Sequence, residues 1–491
     1  MIRYRLAEGV TLHENGNLTV RRPARIIRLT PGGVRVLRQI CGDGLGPELQ
    51  GGKAAAFAAW LEEQGLLEKI FPTLPEELLP FVSVVVPTRN RQDVLVSCVE
   101  SLLDVDYPAD KLEIIVVDDA SDPPVALEGY RRRVKSIRLD ENRGPGAARN
   151  EAAKLARGEI IAFIDDDCLA GRGWLKDLVP CFQYRDVAAA GGMVEPAGLT
   201  RLLEKYERCQ SPLSMGKVQR KAAKNTAVSY LPACNLLVRK DLFAAAGGFD
   251  PALQVGEDVD LCWRLLEKGG QIYYIPGGAV YHRHRAGLLP FLKRRYDYGR
   301  SEALLRKKHP QDKKKHVCFP GSGFVLAAAL AWFLAGATAA LAALSGLAVL
   351  NLFLQSFCRF KGIRRAGGAL GFGGVLKAAA RSQGAAVYLC SRRFARYRSI
   401  PALAASLLVF PGLAPFFLAF HMLPGFVDFV LKKPGLNLFC FVFYHTLEDF
   451  AYQAGVIAGI NISKLSNNIK KFQKEDPGNG IERTQPVKGP H

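Results

Sequence analysis

The stretch IIAFIDDD, residues 160–167, sets the reading of the whole chain. Five apolar residues run without a break into three aspartates. A short uninterrupted apolar run of this kind reads as a strand buried on both faces. Two upstream stretches repeat the plan. VSVVV at 82–86 runs into Pro87 and Thr88, and IIVV at 114–117 runs into Asp118 and Asp119. Helical spacing lies between them, near Val94–Leu103 and Ala147–Leu155. Apolar strands alternating with helices predict a parallel sheet covered on both faces, an α/β fold. Each strand ends in polar residues, and open α/β sheets bind ligands beyond the carboxyl ends of their strands.

Asp165, Asp166 and Asp167 are adjacent carboxylates that repel one another. A divalent cation would relieve the repulsion, and Mg²⁺ or Mn²⁺ combines one or two carboxylates with phosphate oxygens. Such an ion neutralises charge growing on a departing diphosphate. An acidic turn capping the next helix is the other reading of the same residues. A second acidic group, Glu257-Asp258-Val259-Asp260, opens a helix with Leu261, Leu265 and Leu266 on its apolar side. Acids at a helix start are also ordinary capping residues. Taken together, the two groups fit sugar transfer with inversion, in which one carboxylate takes the acceptor hydroxyl proton as that oxygen attacks. Asp258 is the expected base, and Glu257 an expected acceptor contact. His282 follows the strand-like Ile272–Ile275 and a Pro-Gly-Gly turn, where an imidazole would complete a metal shell.

A nucleotide donor needs polar partners for its base and ribose. Thr88, Arg89 and Asn90 follow the first strand, Asp119 the second, and Arg149 lies in RGPGAARN at 143–150. That loop lacks the G-K-[ST] of a Walker A loop and is not a G-x-G-x-x-G fingerprint. Kinase and dehydrogenase chemistry therefore lose their main support.

The chain has 491 residues and a net charge of +20, and most of that charge is local. Residues 283–316 carry a surplus of nine positive charges, and residues 358–398 hold ten Lys/Arg and no acid. They flank 317–358, which contains no charged residue at all. A nucleic-acid binder spreads its basic residues over one folded face instead. A 42-residue helix would be roughly 63 Å long, about twice the bilayer core. Two short helices with a turn near Gly336–Thr338 fit better, with both basic flanks on the cytoplasmic side. A second uncharged run, Ser399–Val427, is long enough to cross once, or to fold back as a re-entrant hairpin at Pro411, Gly412 and Pro415. The opening MIRYRLAEGV holds no apolar stretch of the signal-peptide kind. Eleven scattered cysteines without a C-x-x-C pair read as reduced thiols.

Residues 1–70 form a small basic unit, and FPTLPEELLP at 71–80 reads as a linker. Glu14-Asn15-Gly16-Asn17 between Thr11–Leu12 and Leu18–Val20 predicts a hairpin. Thr30-Pro31 opens a helix, and a second is expected from Lys53 to Leu67. A hairpin with helices is a winged-helix-like unit, suited either to binding a peptide on a strand edge or to a purely structural role. Residues 81–316 form the α/β region, 317–463 the membrane-associated region, and the polar residues from 464 on read as a disordered tail.

VSVVVPTRNR, VVDDAS, RGPGAARN, FIDDDC, LPACNLLVRKDLF, GGFD and GEDVDLCWR occur in the order seen in family 2 glycosyltransferases. The resemblance covers about residues 81–285. It implies a GT-A fold, a nucleotide-sugar donor and an inverting, metal-dependent mechanism. By position it marks Thr88, Asn90, Asp119, Arg149 and Asp166 as donor contacts, beside the Arg89 offered by the strand end, and Asp165, Asp167 and His282 as metal ligands. It marks Asp258 as the base, with Asn235 and Glu257 on the acceptor side. The order of a small N-terminal unit similar to PqqD-like peptide-recognition folds, a GT-A domain and a hydrophobic C-terminal part resembles the glycosyltransferases of mycofactocin systems. That resemblance implies β-1,4-linked glucose added from UDP-glucose to a redox cofactor made from a peptide. A transferase acting on a polyprenyl phosphate or a cell-envelope glycan is the nearest rival, and a non-catalytic nucleotide-binding scaffold a more distant one. FLKRRYDYGRSEALL at 291–305 lacks the Q-x-x-R-W signature of processive synthases, which argues against channel-coupled export.

Overall fold

The computed structural model describes residues 2–21, 24–42, 52–198, 200–224, 226, 228–283, 287–310, 338–365 and 371–475. The N-terminal unit comprises β1 (Arg3–Leu6), β2 (Val10–Leu12), β3 (Asn17–Arg21), β4 (Ala24–Arg28), α1 (Pro31–Gly42), α2 (Lys53–Glu63) and β5 (Leu67–Ile70). The hairpin forms at Asn15-Gly16: Gly16 takes φ +80°, and the Asn15 side chain accepts from the Asn17 amide at 3.1 Å. Leu18, Leu37, Ile40 and Leu61 close its core. The second helix stops earlier than its apolar pattern suggests. Gly65 at φ +66° turns the chain, and β5 pairs antiparallel with β1 instead. The proline-rich 71–80 segment is packed down, since Lys111 Nζ donates to the carbonyls of Glu76 (2.9 Å) and Glu77 (2.8 Å).

The central region contains β6 (Val82–Thr88), α3 (Gln92–Leu103), β7 (Leu112–Asp118), β8 (Val134–Arg138), α4 (Pro145–Leu155), β9 (Ile160–Phe163), β10 (Cys168–Ala170) and α5 (Trp174–Leu178). It continues through β11 (Val187–Gly191), β12 (Val194–Pro196), α6 (Leu202–Gln210), β13 (Arg220–Lys221), β14 (Leu236–Arg239), α7 (Lys240–Ala245), α8 (Glu257–Glu267), β15 (Gln271–Tyr274), β16 (Val280–His282) and α9 (Leu288–Lys308). Eight strands form the main sheet in the order β13-β15-β11-β14-β9-β6-β7-β8. All seven residues of β6 are buried, as an unbroken apolar strand requires.

The sheet is mixed, whereas the strand pattern predicts a parallel one. β14 runs antiparallel between β9 and β11. β14 starts with Leu236 opposite Phe163, at the carboxyl end of β9, so the chain enters it from that edge and runs backwards. A small second sheet, β10-β16-β12, sits beside that edge. The fold is thus a GT-A-like α/β arrangement with a mixed sheet and a helical C-terminal region.

That region holds α10 (Thr338–Arg365), α11 (Phe372–Tyr397), α12 (Ser399–Val409), α13 (Ala414–Lys432) and α14 (Leu438–Glu475). Residues 317–337, and with them most of the turn expected near Gly336, lie outside the described residues. α10 runs on past Cys358 into the basic stretch. The second uncharged run breaks into α12 and α13 at Pro411–Leu413. α14 continues past residue 464 to Glu475, and 476–491 lie outside the described residues. Among the described residues one helix, Pro411–Lys432, is long and apolar enough to cross a membrane. Charged pairs join these helices to the sheet domain. Arg295 of α9 bonds Glu207 of α6 and Glu448 of α14, and Gln210 donates to Asp428 at 2.7 Å.

Candidate active site

The carboxyl ends of β6, β7 and β9 open into one cavity of about 1100 Å³, closed on its far side by α8 and α9 and, beyond them, α14. Strand register brings the acids there. β6 lies parallel to both β7 and β9, so Thr88, Asp119 and Asp165–Asp167 emerge at one edge. Thr88 Oγ1 donates to Asp166 at 2.7 Å. Arg91 bridges Asp166 (2.9 Å) and Asp167 (2.8 Å). Burial, reinforced by the Asp167 charge and opposed by Arg91, pushes the Asp166 carboxyl up to about 6.

Asp119 accepts from the amides of Arg143 (2.8 Å) and Gly144 (2.9 Å), so it holds the glycine loop against the cleft. Gly144 takes φ +83°, and α4 begins directly after it with Pro145 in its first turn. Arg89 lines the cavity. Asn90 sits at φ 55° and ties two loops together, its amide donating to Ser121 Oγ and its Oδ1 accepting from Asp122 N.

His282 reaches the aspartates by a non-local route. β16 pairs antiparallel with β10, placing His282 opposite Cys168. His282 Nε2 then lies 3.4 Å from Asp167 Oδ1. Ligand atoms of Asp167, Cys168 and His282 all lie within 4.8 Å of one another. Carboxylate and imidazole fit a divalent cation here. Burial raises the Cys168 thiol well above its usual range, which keeps it a neutral packing group.

Asp165, expected in that shell, is turned away from it. It accepts from Arg149 Nη2, while Arg149 Nη1 donates to Glu257 at 2.9 Å. Arg149 is only 3% exposed, so its guanidinium is a strut between two acids instead of the free donor to a base that the sequence suggests. Arg149 thus joins the two acidic groups, whose Asp165 and Glu257 are 92 positions apart in the chain.

Asp258 stands half-buried at the start of α8. Its carboxylate accepts from the amides of Val259 (2.8 Å) and Ala233 (3.2 Å). Burial, then the Glu257 charge, pushes it up to about 7. Asp165–Asp167, His282, Glu257 and Asp258 line one cavity.

Asn235, expected as an acceptor contact, is not on that wall. It is fully buried, accepting from Trp174 Nε1 at 2.8 Å and donating to the carbonyls of Met193 (3.1 Å) and Gly278 (2.9 Å). Every polar group it has is used, so it fastens β14 to the small sheet. Two cavity residues were missed in the sequence. Arg91 lay inside the VSVVVPTRNR motif with no role given to it. Arg294 lies one helical turn before Tyr298 on α9, with its guanidinium 5.0 Å from that ring, and feels the charges of Glu257 and Asp165.

The model of glycosyl transferase family 2 matches residues 83–246. Pre-mycofactocin glycosyltransferase of Mycobacterium tuberculosis, in strains CDC 1551 and H37Rv, is 30% identical over 404 residues, 79% of this chain and 82% of its own length. Glycosyltransferase AglE of Haloferax volcanii is 31% identical over 199 residues, covering 39% of this chain and 63% of its own. A solved structure of the mannosyltransferase PcManGT from Pyrobaculum calidifontis, in complex with GDP-Man and Mn²⁺, covers 64% of this chain and 90% of its own, with 22% identity and a TM-score of 0.37. The chain belongs to glycosyltransferase family 2 and is a glycosyltransferase.

Proposed function

We propose that this enzyme transfers a hexose, with inversion, from a nucleotide sugar to a peptide-derived acceptor. UDP-glucose is the proposed donor and a β-1,4 linkage the proposed product, as the resemblance to the glycosyltransferases of mycofactocin systems implies. The carrying observation is that Asp258, Asp167 and His282 share one cavity. Asp258 takes the acceptor hydroxyl proton; the freed oxygen bonds to the anomeric carbon as its bond to the diphosphate oxygen breaks. Asp167 and His282 hold the divalent cation, Mg²⁺ or Mn²⁺, which when bound neutralises charge on the leaving diphosphate. Arg91 and Arg294 add positive charge from opposite walls. Thr88, Asp119 and Asp166 orient the nucleotide, Arg89 flanks it, and Glu257, fixed by Arg149, orients the acceptor. Asn90 serves this site by shaping its loops.

The N-terminal unit is proposed to be a PqqD-like module that presents the peptide. The enzyme is proposed to work attached to the membrane, with its α/β domain on the cytoplasmic side; the basic segments around 283–316 and 358–398 support this. One observation favours a lipid-phosphate acceptor instead: the cavity extends to Arg306 and Arg396 beside the apolar helices. Incubating purified enzyme, Mn²⁺ and UDP-glucose with a peptide-derived acceptor and, separately, a polyprenyl phosphate, followed by mass spectrometry, tests the choice. A hexose added to the peptide-derived acceptor alone is expected. Transfer to the lipid alone would overturn the acceptor assignment.

A further inference from the structure

We propose that α10 and α13 seat this chain in the plane of an anionic lipid bilayer surface without crossing it. The proposal rests on the membrane-attached reading above and states how that attachment is made.

Along α13, every exposed position from Pro415 to Leu431 is apolar: Pro415, Leu418, Ala419, Phe426, Val430 and Leu431. They recur at helical spacing and form one stripe. The opposite face, His421, Pro424, Gly425 and Asp428, is buried against the protein. α10 has the same design. Leu347, Leu350, Phe353, Leu354 and Phe357 are exposed, and the helix then ends in exposed Arg359, Lys361, Arg364 and Arg365. Large exposed apolar stripes of this kind mark interaction surfaces.

The occupant follows from charge. The exposed Arg359, Lys361, Arg364 and Arg365 that close α10 have no acid among them, so this end of the apolar surface suits anionic headgroups and repels a basic partner. The crossing alternative conflicts with what α13 packs on. Asp428 lies one turn from its C-terminal end, accepts from Tyr388 (2.7 Å) of α11 and lies within ion-pair distance of His445 (3.7 Å) of α14. Phe394 of α11 packs on Phe417 and Phe420 in the first half of α13, which brings the Arg392, Arg393 and Arg396 stretch of α11 alongside it. Gln210 of the sheet domain bonds both Asp428 and Lys432. A bilayer core around α13 would have to enclose these charges, whereas an in-plane seat immerses only the apolar stripe.

Purified full chain is mixed with vesicles of phosphatidylcholine alone, or with about one third phosphatidylglycerol, and floated. At least tenfold stronger capture by the anionic vesicles is expected, falling as salt rises. The variant Leu418→Asp/Phe426→Asp/Val430→Asp should lose capture tenfold or more yet keep sugar transfer to a soluble acceptor. Sidedness is read in cells with Gly412→Cys and Lys433→Cys, which flank α13; a side chain at Gly412 meets nothing within 4 Å. A membrane-impermeant maleimide should label both in inverted vesicles and neither in spheroplasts, above the parent chain. Labelling of either site from outside the spheroplast means a crossing and overturns the in-plane seat, leaving membrane attachment intact. Equal capture by neutral vesicles, or undiminished capture of the triple variant, overturns the surface proposed here. No capture by either vesicle, with sugar transfer retained, overturns the attachment itself.

Discussion

At the residue scale, Asp258 carries the clearest consequence. Its carboxyl is pushed up to about 7 by burial and by Glu257. A base must be ionised, so kcat/KM should rise with pH through about 7 and level off above it. The raised value also means that the folded protein binds this proton more tightly than the unfolded chain does, so stability falls as pH climbs from the ordinary carboxylate range towards 7. Asp258→Asn should therefore raise Tm at pH 8 by roughly 2–4 °C while leaving it unchanged at pH 4, as read by calorimetry. Asn235 makes the opposite case. Its amide satisfies Trp174 and two carbonyls in a dry site, so Asn235→Ala should cost about 1–3 kcal/mol of stability with the KM for donor and acceptor unchanged. The acids were legible in the sequence because they follow directly from strand ends and a helix start. The roles of Arg149 and Asn235 were not, because each depends on partners dozens of residues away.

At the element scale, two pairings organise the molecule. The β10–β16 ladder alone brings His282 to Asp167, since the two residues are 115 positions apart in the chain. His282→Ala should raise the Mn²⁺ concentration for half-maximal activity by about tenfold or more, measured by metal titration of the transfer rate. The second pairing is α9 on α14, where a Cβ at Gly299 would strike the Tyr452 carbonyl and one at Gly455 the Tyr296 carbonyl. Backbones this close leave no room for a side chain. Gly455→Leu should destabilise the protein by at least ~1–3 kcal/mol, seen as a lower denaturation midpoint. Apolar runs revealed β6, β7, β9 and β15, but neither β14 nor its direction. β14 is reversed because the chain enters it at the carboxyl end of β9. The break between α12 and α13 was signalled locally by Pro411, Gly412 and Pro415.

At the scale of the whole molecule, the sheet edge, α8, the small second sheet and α9 each supply part of one cavity. Arg149 joins the two acidic groups, and Arg295 fastens the roof to the C-terminal helices. Composition divides the chain into regions but says nothing of the contacts between them, because a buried ion pair such as Arg295–Glu448 leaves no mark on local spacing. In the proposed mechanism Asp258 acts as the base of the transfer reaction while the other acids hold donor and cation. Donor binding by calorimetry and turnover by radiolabelled sugar transfer, measured together on Asp258→Asn, test it most directly. The expected donor Kd is within about twofold of the parent's, with turnover lowered by about 10²–10⁴-fold. Turnover equal to the parent's at unchanged donor affinity would contradict it.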